Sequence, residues 1–337
     1  MHMADALLSP AVGGVMCAVS VGAMAYSVVK IKNDDLCEKK VPIMGVAGAL
    51  VFAAQMINYT IPATGSSGHI GGGILLAGLL GGFPALLTLA AVLIIQCLFF
   101  ADGGLLALGC NIFNMGVIPC LLIYPLIFKP LMKKGVTYKK LTIASIICVI
   151  VGLQLGAFGV VLETAASGIT ALPFSTFVVL MQPIHLAIGA IEGIITAAIL
   201  CFVYKMRPEI IESSLSSRAI GSGTPMKKIV VFLVILAVVI GGGLSLLASG
   251  NPDGLEWAIE NVTGDAEIEA EHNVEAAGAI VDKVAFMPDY NYASAGEDGS
   301  STGTTVAGIV GGAMTFVLAG VVALIISKSK KKSANPA

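Results

Sequence analysis

Apolar residues occur in long runs, and short polar stretches separate them. The runs are about as long as the hydrocarbon core of a bilayer requires, and they cover 9–31, 41–58, 111–128, 141–162, 184–204, 229–249 and 306–326. One stretch, 70–100, is longer than the rest. It can be read as a single long helix, or as two short ones broken at Gly81-Gly82-Phe83-Pro84, where glycine and proline punctuate the pattern.

The distribution of charge decides between them. Lys30, Lys32, Lys39 and Lys40 follow the first run, and Lys129, Lys133, Lys134, Lys139 and Lys140 follow the run ending at 128. A third cluster is Lys205, Arg207, Arg218, Lys227 and Lys228, and a fourth is Lys328, Lys330, Lys331 and Lys332. The positive-inside rule puts all four in the cytoplasm. Two crossings within 70–100 satisfy that parity, whereas one would place the second cluster outside. The pattern therefore predicts nine transmembrane helices, with the N-terminus outside and the C-terminus cytoplasmic. About seven lie in 1–208, a Ser-rich cytoplasmic linker follows over 209–228, and two lie in 229–337. Of 19 basic residues only Lys283 falls outside.

Composition sharpens the class. The chain is 56% hydrophobic and 12% charged, against about 25% charged for a soluble domain. Its 40 glycines suit membrane helices that approach closely. The expectation is an all-α, polytopic protein of the cell membrane, surrounded by lipid and without a nucleic-acid partner. The seven cysteines (Cys17, Cys37, Cys97, Cys110, Cys120, Cys148 and Cys201) form no Cys-x-x-Cys pair and read as small packing residues. The chain enters its first apolar run with no basic n-region, so no conventional signal peptide is expected.

The chemistry-bearing residues collect on the predicted external face. The first of them is Met1-His2. The Met1 amine, the His2 amide nitrogen and one His2 imidazole nitrogen can close fused rings on a single ion. A second imidazole would complete a square of nitrogens, a geometry suited to Ni(II) or Cu(II) rather than Zn(II). The plain alternative is a frayed terminus. His69, within Gly68-His69-Ile70-Gly71-Gly72-Gly73, is placed to meet the N-terminus, because the glycines allow a sharp turn and close approach. The alternative is a flexible loop entering a helix, and no Gly-Lys-Ser/Thr follows to make it a phosphate loop.

Gln182-Pro183-Ile184-His185 reads as the opening of the next span. His185 is then a further metal or proton-transfer group, or a residue bonding a nearby carbonyl. Glu192 shares its helix face, roughly 10 Å deeper. It is either functional, as intramembrane carboxylates tend to be, or a protonated packing residue. Gly14, Ala18 and Gly22 form a small-residue stripe on the first helix, fit for internal packing or for docking a partner membrane subunit. The external segment 250–305 holds 12 of the 21 acidic residues. It can gather divalent cations by its field or serve solubility alone, and His272 within it reads as solvated.

Four motifs in order carry a resemblance: Met1–Pro10, Gly68–Gly73, Asn111-Ile112-Phe113-Asn114-Met115-Gly116, and Gln182-Pro183-Ile184-His185 continuing to Glu192-Gly193. Together they resemble the CbiM/NikM family, the substrate-capture membrane components of energy-coupling-factor transporters for cobalt and nickel, over about residues 1–208. Asn251-Pro252-Asp253-Gly254-Leu255-Glu256 resembles the PDGLE motif of the family's accessory component, here fused to the capture unit, and Pro288-Asp289-Tyr290 resembles its later turn. The long acidic insert between those two motifs departs from the pattern.

The resemblance implies Met1, His2 and His69 as metal ligands, with Asn111 and Asn114 orienting the loops. It implies a transporter subunit, not an enzyme, with no cofactor beyond the transported Ni²⁺ or Co²⁺. Its partners would be a transmembrane coupling subunit and ATPase subunits, since the chain has no Walker A sequence. Three rivals predict other behaviour. An ion-coupled secondary carrier would use His185 and Glu192 as a proton relay, but no internal repeat is evident. An intramembrane metalloenzyme lacks His-Glu-x-x-His. A structural anchor for the acidic segment would bind no metal.

Overall fold

The computed structural model describes residues 2–31, 39–220, 225–266, 275–292 and 301–334. Met1, Cys37 and His272 lie outside them. The described chain is almost wholly helical. In order it forms α1 (Pro10–Lys30), α2 (Lys40–Gln55), a hairpin of β1 (Tyr59–Thr60) and β2 (Ser67–Gly68), α3 (Gly73–Leu80), α4 (Gly82–Phe100) and α5 (Leu108–Met132). There follow α6 (Tyr138–Ser167), α7 (Phe174–Met206), α8 (Pro208–Ser216), α9 (Lys227–Gly242), α10 (Gly254–Thr263), α11 (Glu275–Val284) and α12 (Ser301–Ala334).

Every apolar run carries a helix. Among the described residues, six helices are long and apolar enough to cross a membrane: α1, α4, α5, α6, α7 and α12. α2 and α9 have 16 residues each, or about 24 Å. The chain breaks at Gly81, as the Gly-Gly-Phe-Pro cluster predicts. Here Gly81 has φ 88°, a backbone region costly to any residue with a Cβ. The first of the two pieces is not a full transmembrane helix, however. α3 has eight residues, about 12 Å, and irregular chain from His69 to Gly72 leads into it from β2. Such chain survives beside helices because protein covers it on all sides: residues 66 to 81 are buried throughout.

Three further corrections concern boundaries. α6 runs on to Ser167 and α7 begins at Phe174, so the expected external segment 163–183 shrinks to 168–173. Pro183 therefore does not open the span but lies within α7. The loop expected over 101–110 ends at 107, because α5 starts at Leu108. The stretch read as a linker begins with α8, whose adjacent Ile210 and Ile211 are fully buried and whose Ser214 Oγ donates to the Gly78 carbonyl at 2.6 Å.

The helices pack as one body. α6 and α7 pair along their length and α5 lies against α6, while α2 and α4 lie side by side and receive α9 and α12. The C-terminal helices thus rest directly on the N-terminal ones. Gly311 allows this, since a Cβ there would fall 2.0 Å from the Phe52 ring. α1 is the outlier. Its fully buried residues are Gly13, Ser20 and Ser27, with Ser20 Oγ donating to the Gly109 carbonyl at 2.6 Å. Gly14, Ala18 and Gly22 point away from the body and are exposed. The internal-packing reading of that stripe is corrected: the buried side of α1 is one residue out of register with it.

Candidate metal site

The N-terminal strand is tied down before α1 begins. Asn111 holds Met3 on both sides: its Oδ1 accepts from Met3 N at 2.8 Å and its Nδ2 donates to Met3 O at 3.2 Å. Gly104 N donates to the same carbonyl at 3.0 Å, and Asp5 Oδ1 accepts from Ala107 N at 2.9 Å. A Cβ on Gly104 would fall 1.7 Å from Asp5 Oδ1, so only glycine lets the strand lie against this loop. These contacts fix the backbone one residue from His2, whose side chain is 7% exposed.

His69 arrives from the hairpin. Tyr59 pairs with Gly68 and Thr60 with Ser67, and Ile61 N donates to Ser66 O at 2.9 Å. Beyond His69 the chain is gripped by Glu192, whose two carboxylate oxygens accept from Gly71 N at 2.9 Å and Gly72 N at 2.8 Å. Gln55 Nε2 donates to Gly71 O at 2.9 Å. Two buried amides facing one carboxylate make a strong, charge-assisted clamp. We expect Glu192→Ala to leave both amides unsatisfied, costing about 2–6 kcal/mol in stability and at least tenfold in metal affinity. Thermal unfolding and Ni²⁺ titration of the purified chain would measure both.

The two imidazoles meet face to face, with ring centres 4.9 Å apart and planes 13° from parallel. A carboxylate faces each ring. His2 Nδ1 lies 3.1 Å from Asp102 Oδ1, and His69 Nε2 lies 3.9 Å from Asp253 Oδ2. His69 Nδ1 faces the Ile70 carbonyl at 3.3 Å, while His2 Nε2 is buried. Burial pushes the pKa of both rings down to about 3, because a desolvated imidazolium is unfavourable. Both are therefore neutral at physiological pH, as metal ligands must be. Burial raises the Asp102 carboxyl, against the opposing hydrogen bond from Tyr290.

A metal needs more than these rings. Among the described residues no group of three or more His, Cys, Asp or Glu side chains is arranged to hold an ion. The donor set fits a small divalent cation only if main-chain nitrogens of the N-terminal segment join it, and the structure ties that segment beside the rings. Two buried imidazoles, each faced by a carboxylate, are what a site built for positive charge would present.

The remaining predicted residues fall elsewhere. Asn111 orients the N-terminal strand. Asn114 does not touch the loops; its Nδ2 donates to Glu163 Oε2 at 2.7 Å, joining α5 to α6. His185 is buried in mid-helix, with Nδ1 2.8 Å from the Met181 carbonyl, and it lines a small cavity with His69, Met115 and Gly254. His185 and Glu192 thus each serve a local partner, with no bond between them to form a relay. Asp102, Asp253 and Tyr290 are the residues that sequence reasoning passed over. Asp253 stood inside the PDGLE resemblance and Tyr290 inside the turn after it, yet nothing local links them to histidines some 180 to 290 positions earlier.

Known proteins resemble the chain over both of its parts. The family model described as the CbiM cobalt uptake substrate-specific transmembrane region matches residues 2–210, and the PDGLE domain matches residues 227–328. A protein of Archaeoglobus fulgidus with the provisional name of a fused nickel transport protein is 28% identical over 318 residues, covering 94% of this chain and 96% of its own. The fused nickel transport protein of Rhodobacter capsulatus is 29% identical over 281 residues, covering 79% and 78%. The crystal structure of a truncated transition metal transporter superposes with a TM-score of 0.54 at 30% identity, covering 61% of this chain and 99% of its own. The chain belongs to the CbiM family, with a PDGLE domain fused behind the family's transmembrane region.

Proposed function

We propose that this protein is the metal-capturing membrane subunit of an energy-coupling-factor importer for Ni²⁺ or Co²⁺. The observation that carries the reading is the stacked pair of buried, neutral imidazoles, His2 and His69. They are drawn together by two separately anchored segments. The names of the relatives, nickel transport proteins among them, support the choice of cargo.

In this reading the Met1 amine, the His2 amide nitrogen, His2 Nδ1 and His69 Nε2 form a nitrogen square around the ion. Nδ1 is the imidazole nitrogen that closes a six-membered ring with the residue's own amide, and in the structure it rests on Asp102. Capture exchanges that contact for the ion. Met1 lies outside the described residues, so its part rests on the chelate chemistry and on the family resemblance. The site opens to the external side, where the acidic segment 250–305 raises the local cation concentration. Chemistry on the cargo is not needed, and ATP hydrolysis belongs to partner subunits.

Titrating the purified chain with Ni²⁺ or Co²⁺, without nucleotide, should give one tightly held ion per chain. No saturable binding would sink the reading. A coupling subunit would dock on the exposed face of α1, where Gly14 and Gly22 have nothing within 4 Å of a built Cβ. Small residues there allow a partner helix to approach closely. Ala18→Leu should therefore leave Ni²⁺ binding unchanged and cut uptake by cells carrying all subunits by at least tenfold. Normal uptake by that variant would move the docking face elsewhere.

A further inference from the structure

The PDGLE motif does not hang free in the external segment. It is zipped to the loop that carries His69. Ser67 N donates to the Pro252 carbonyl at 2.8 Å, and Ser67 Oγ donates to the Asn251 carbonyl at 2.8 Å. Ser67, two positions before His69, is thus bonded to both residues that precede Asp253. Gly254 completes the seat, since a Cβ there would stand 3.0 Å from Ile188 and 3.1 Å from the His185 ring.

Among the described residues, the Asp253 carboxylate faces in two directions. Oδ1 caps α10, accepting from Leu255 N at 2.7 Å and Glu256 N at 3.0 Å. Oδ2 is turned towards His69 Nε2, 3.9 Å away. His69 Nδ1 faces the Ile70 carbonyl and Nε2 faces the Asp253 carboxylate, so both ring nitrogens look at acceptors. A neutral ring has one hydrogen to share between them, and a cation between Nε2 and Oδ2 relieves that mismatch. Two bonds of about 2.0–2.2 Å to one divalent ion set neighbouring ligand atoms about 3 Å apart, so a closing movement of about 1 Å brings Oδ2 and Nε2 to bridging distance.

The second carboxylate of the site also depends on the C-terminal part. Tyr290 donates its hydroxyl to Asp102, and its ring stacks on Phe100 with centres 5.1 Å apart. The Asp289-Tyr290 turn that aims it is left-handed at both residues, with φ 49° and 59°, a conformation that persists only where the surroundings enforce it.

We propose that Asp253 is an additional ligand of the captured ion. Its Oδ2 joins the nitrogens of His2 and His69 from the C-terminal part of the chain, so the PDGLE motif completes the site instead of merely delivering metal to it. This rests on the reading of the site as a Ni²⁺ or Co²⁺ capture site. A divalent ion held by neutral imidazoles, an amine and one deprotonated amide keeps a net positive charge in a buried pocket. A carboxylate of the opposite sign, pre-positioned by a helix cap, offsets that charge. Coordination also gains an oxygen, which takes the ion away from an all-nitrogen square.

The test uses the full-length chain and the variant Asp253→Ser. Serine keeps the N-cap but carries no charge and is too short to reach the ion. Ni²⁺ alone is titrated and the ligand-field absorption of the bound ion is recorded, with Asp253→Asn as a second variant should serine fold poorly in a metal-free unfolding scan. The expected result is at least tenfold weaker binding together with a shifted absorption. An unshifted absorption overturns ligation by Asp253 whatever the affinity does. If the unaltered chain binds no Ni²⁺, the capture reading itself fails. If it binds, and His2→Ala does not, while Asp253→Ser matches the unaltered spectrum, this inference fails alone.

Discussion

One residue appended ahead of Met1 should abolish high-affinity metal capture, and His2→Ala should do the same. The two changes attack the same chelate from opposite ends. An added residue turns the Met1 amine, a basic donor, into an amide nitrogen, and His2 remains in place with its ring against His69. His2→Ala keeps the amine and removes the ring that closes the second chelate. Either way one linked donor is lost, and the effective concentration that linkage supplies goes with it, a loss on the order of 10²–10⁴-fold in affinity. The fold should survive both, because the N-terminal strand is held at Met3 by Asn111 and at Asp5 by Ala107 N. Ni²⁺ titration and cellular uptake, each beside a thermal scan of the metal-free chain, would read the result. Unchanged capture by the extended chain would remove the amine from the site.

Much of the architecture was legible from hydropathy and charge, for a physical reason. A bilayer imposes one length scale, and lysines sort to one side of it, so runs and clusters alone locate the helices. The break at Gly81 was equally visible, since glycine and proline announce it. What hydropathy does not carry is how much of an apolar run is helical. The run starting at Ile70 looks like a transmembrane helix, but its first residues are held out of the helix by Glu192, a partner 120 positions away. Pro183 misled in the opposite sense. Proline usually opens a helix, and here it lies inside one that starts at Phe174.

The site divides along the same line. His2 and His69 were legible because histidine is scarce in this chain and each sits in a distinctive local setting. The carboxylates facing them were not. Asp102 and Asp253 are ordinary by local pattern, one in a Gly-rich loop and one a helix cap; Asp102 meets His2 because the N-terminal segment lies along its loop, and Asp253 meets His69 because the C-terminal part docks on the hairpin. Asn111 and Asn114 looked equivalent by spacing. Three residues apart on a helix, they diverge by roughly 60°, enough to send one to the N-terminal strand and the other to Glu163.

Metal affinity should rise with pH by about two log units per pH unit between roughly pH 5 and 7, and not by more. An α-amine ordinarily holds a proton throughout that range, and the amide holds one at any pH until the ion displaces it. Two protons are therefore released per ion. Solvated imidazoles with pKa 6.5 would add up to two more below pH 6. Burial has already lowered His2 and His69 to about 3, so they enter the range deprotonated and release none. The sign is the same for the folded state alone. Below 6.5 the unfolded chain takes up protons on these histidines that the folded chain refuses, so the stability they allow at neutral pH is lost progressively as pH falls from 6.5 towards 3. Calorimetry in buffers of different ionisation enthalpy counts the released protons directly. A slope near four would mean that the rings are solvated, and a slope near zero would take both the amine and the amide out of the ion's coordination.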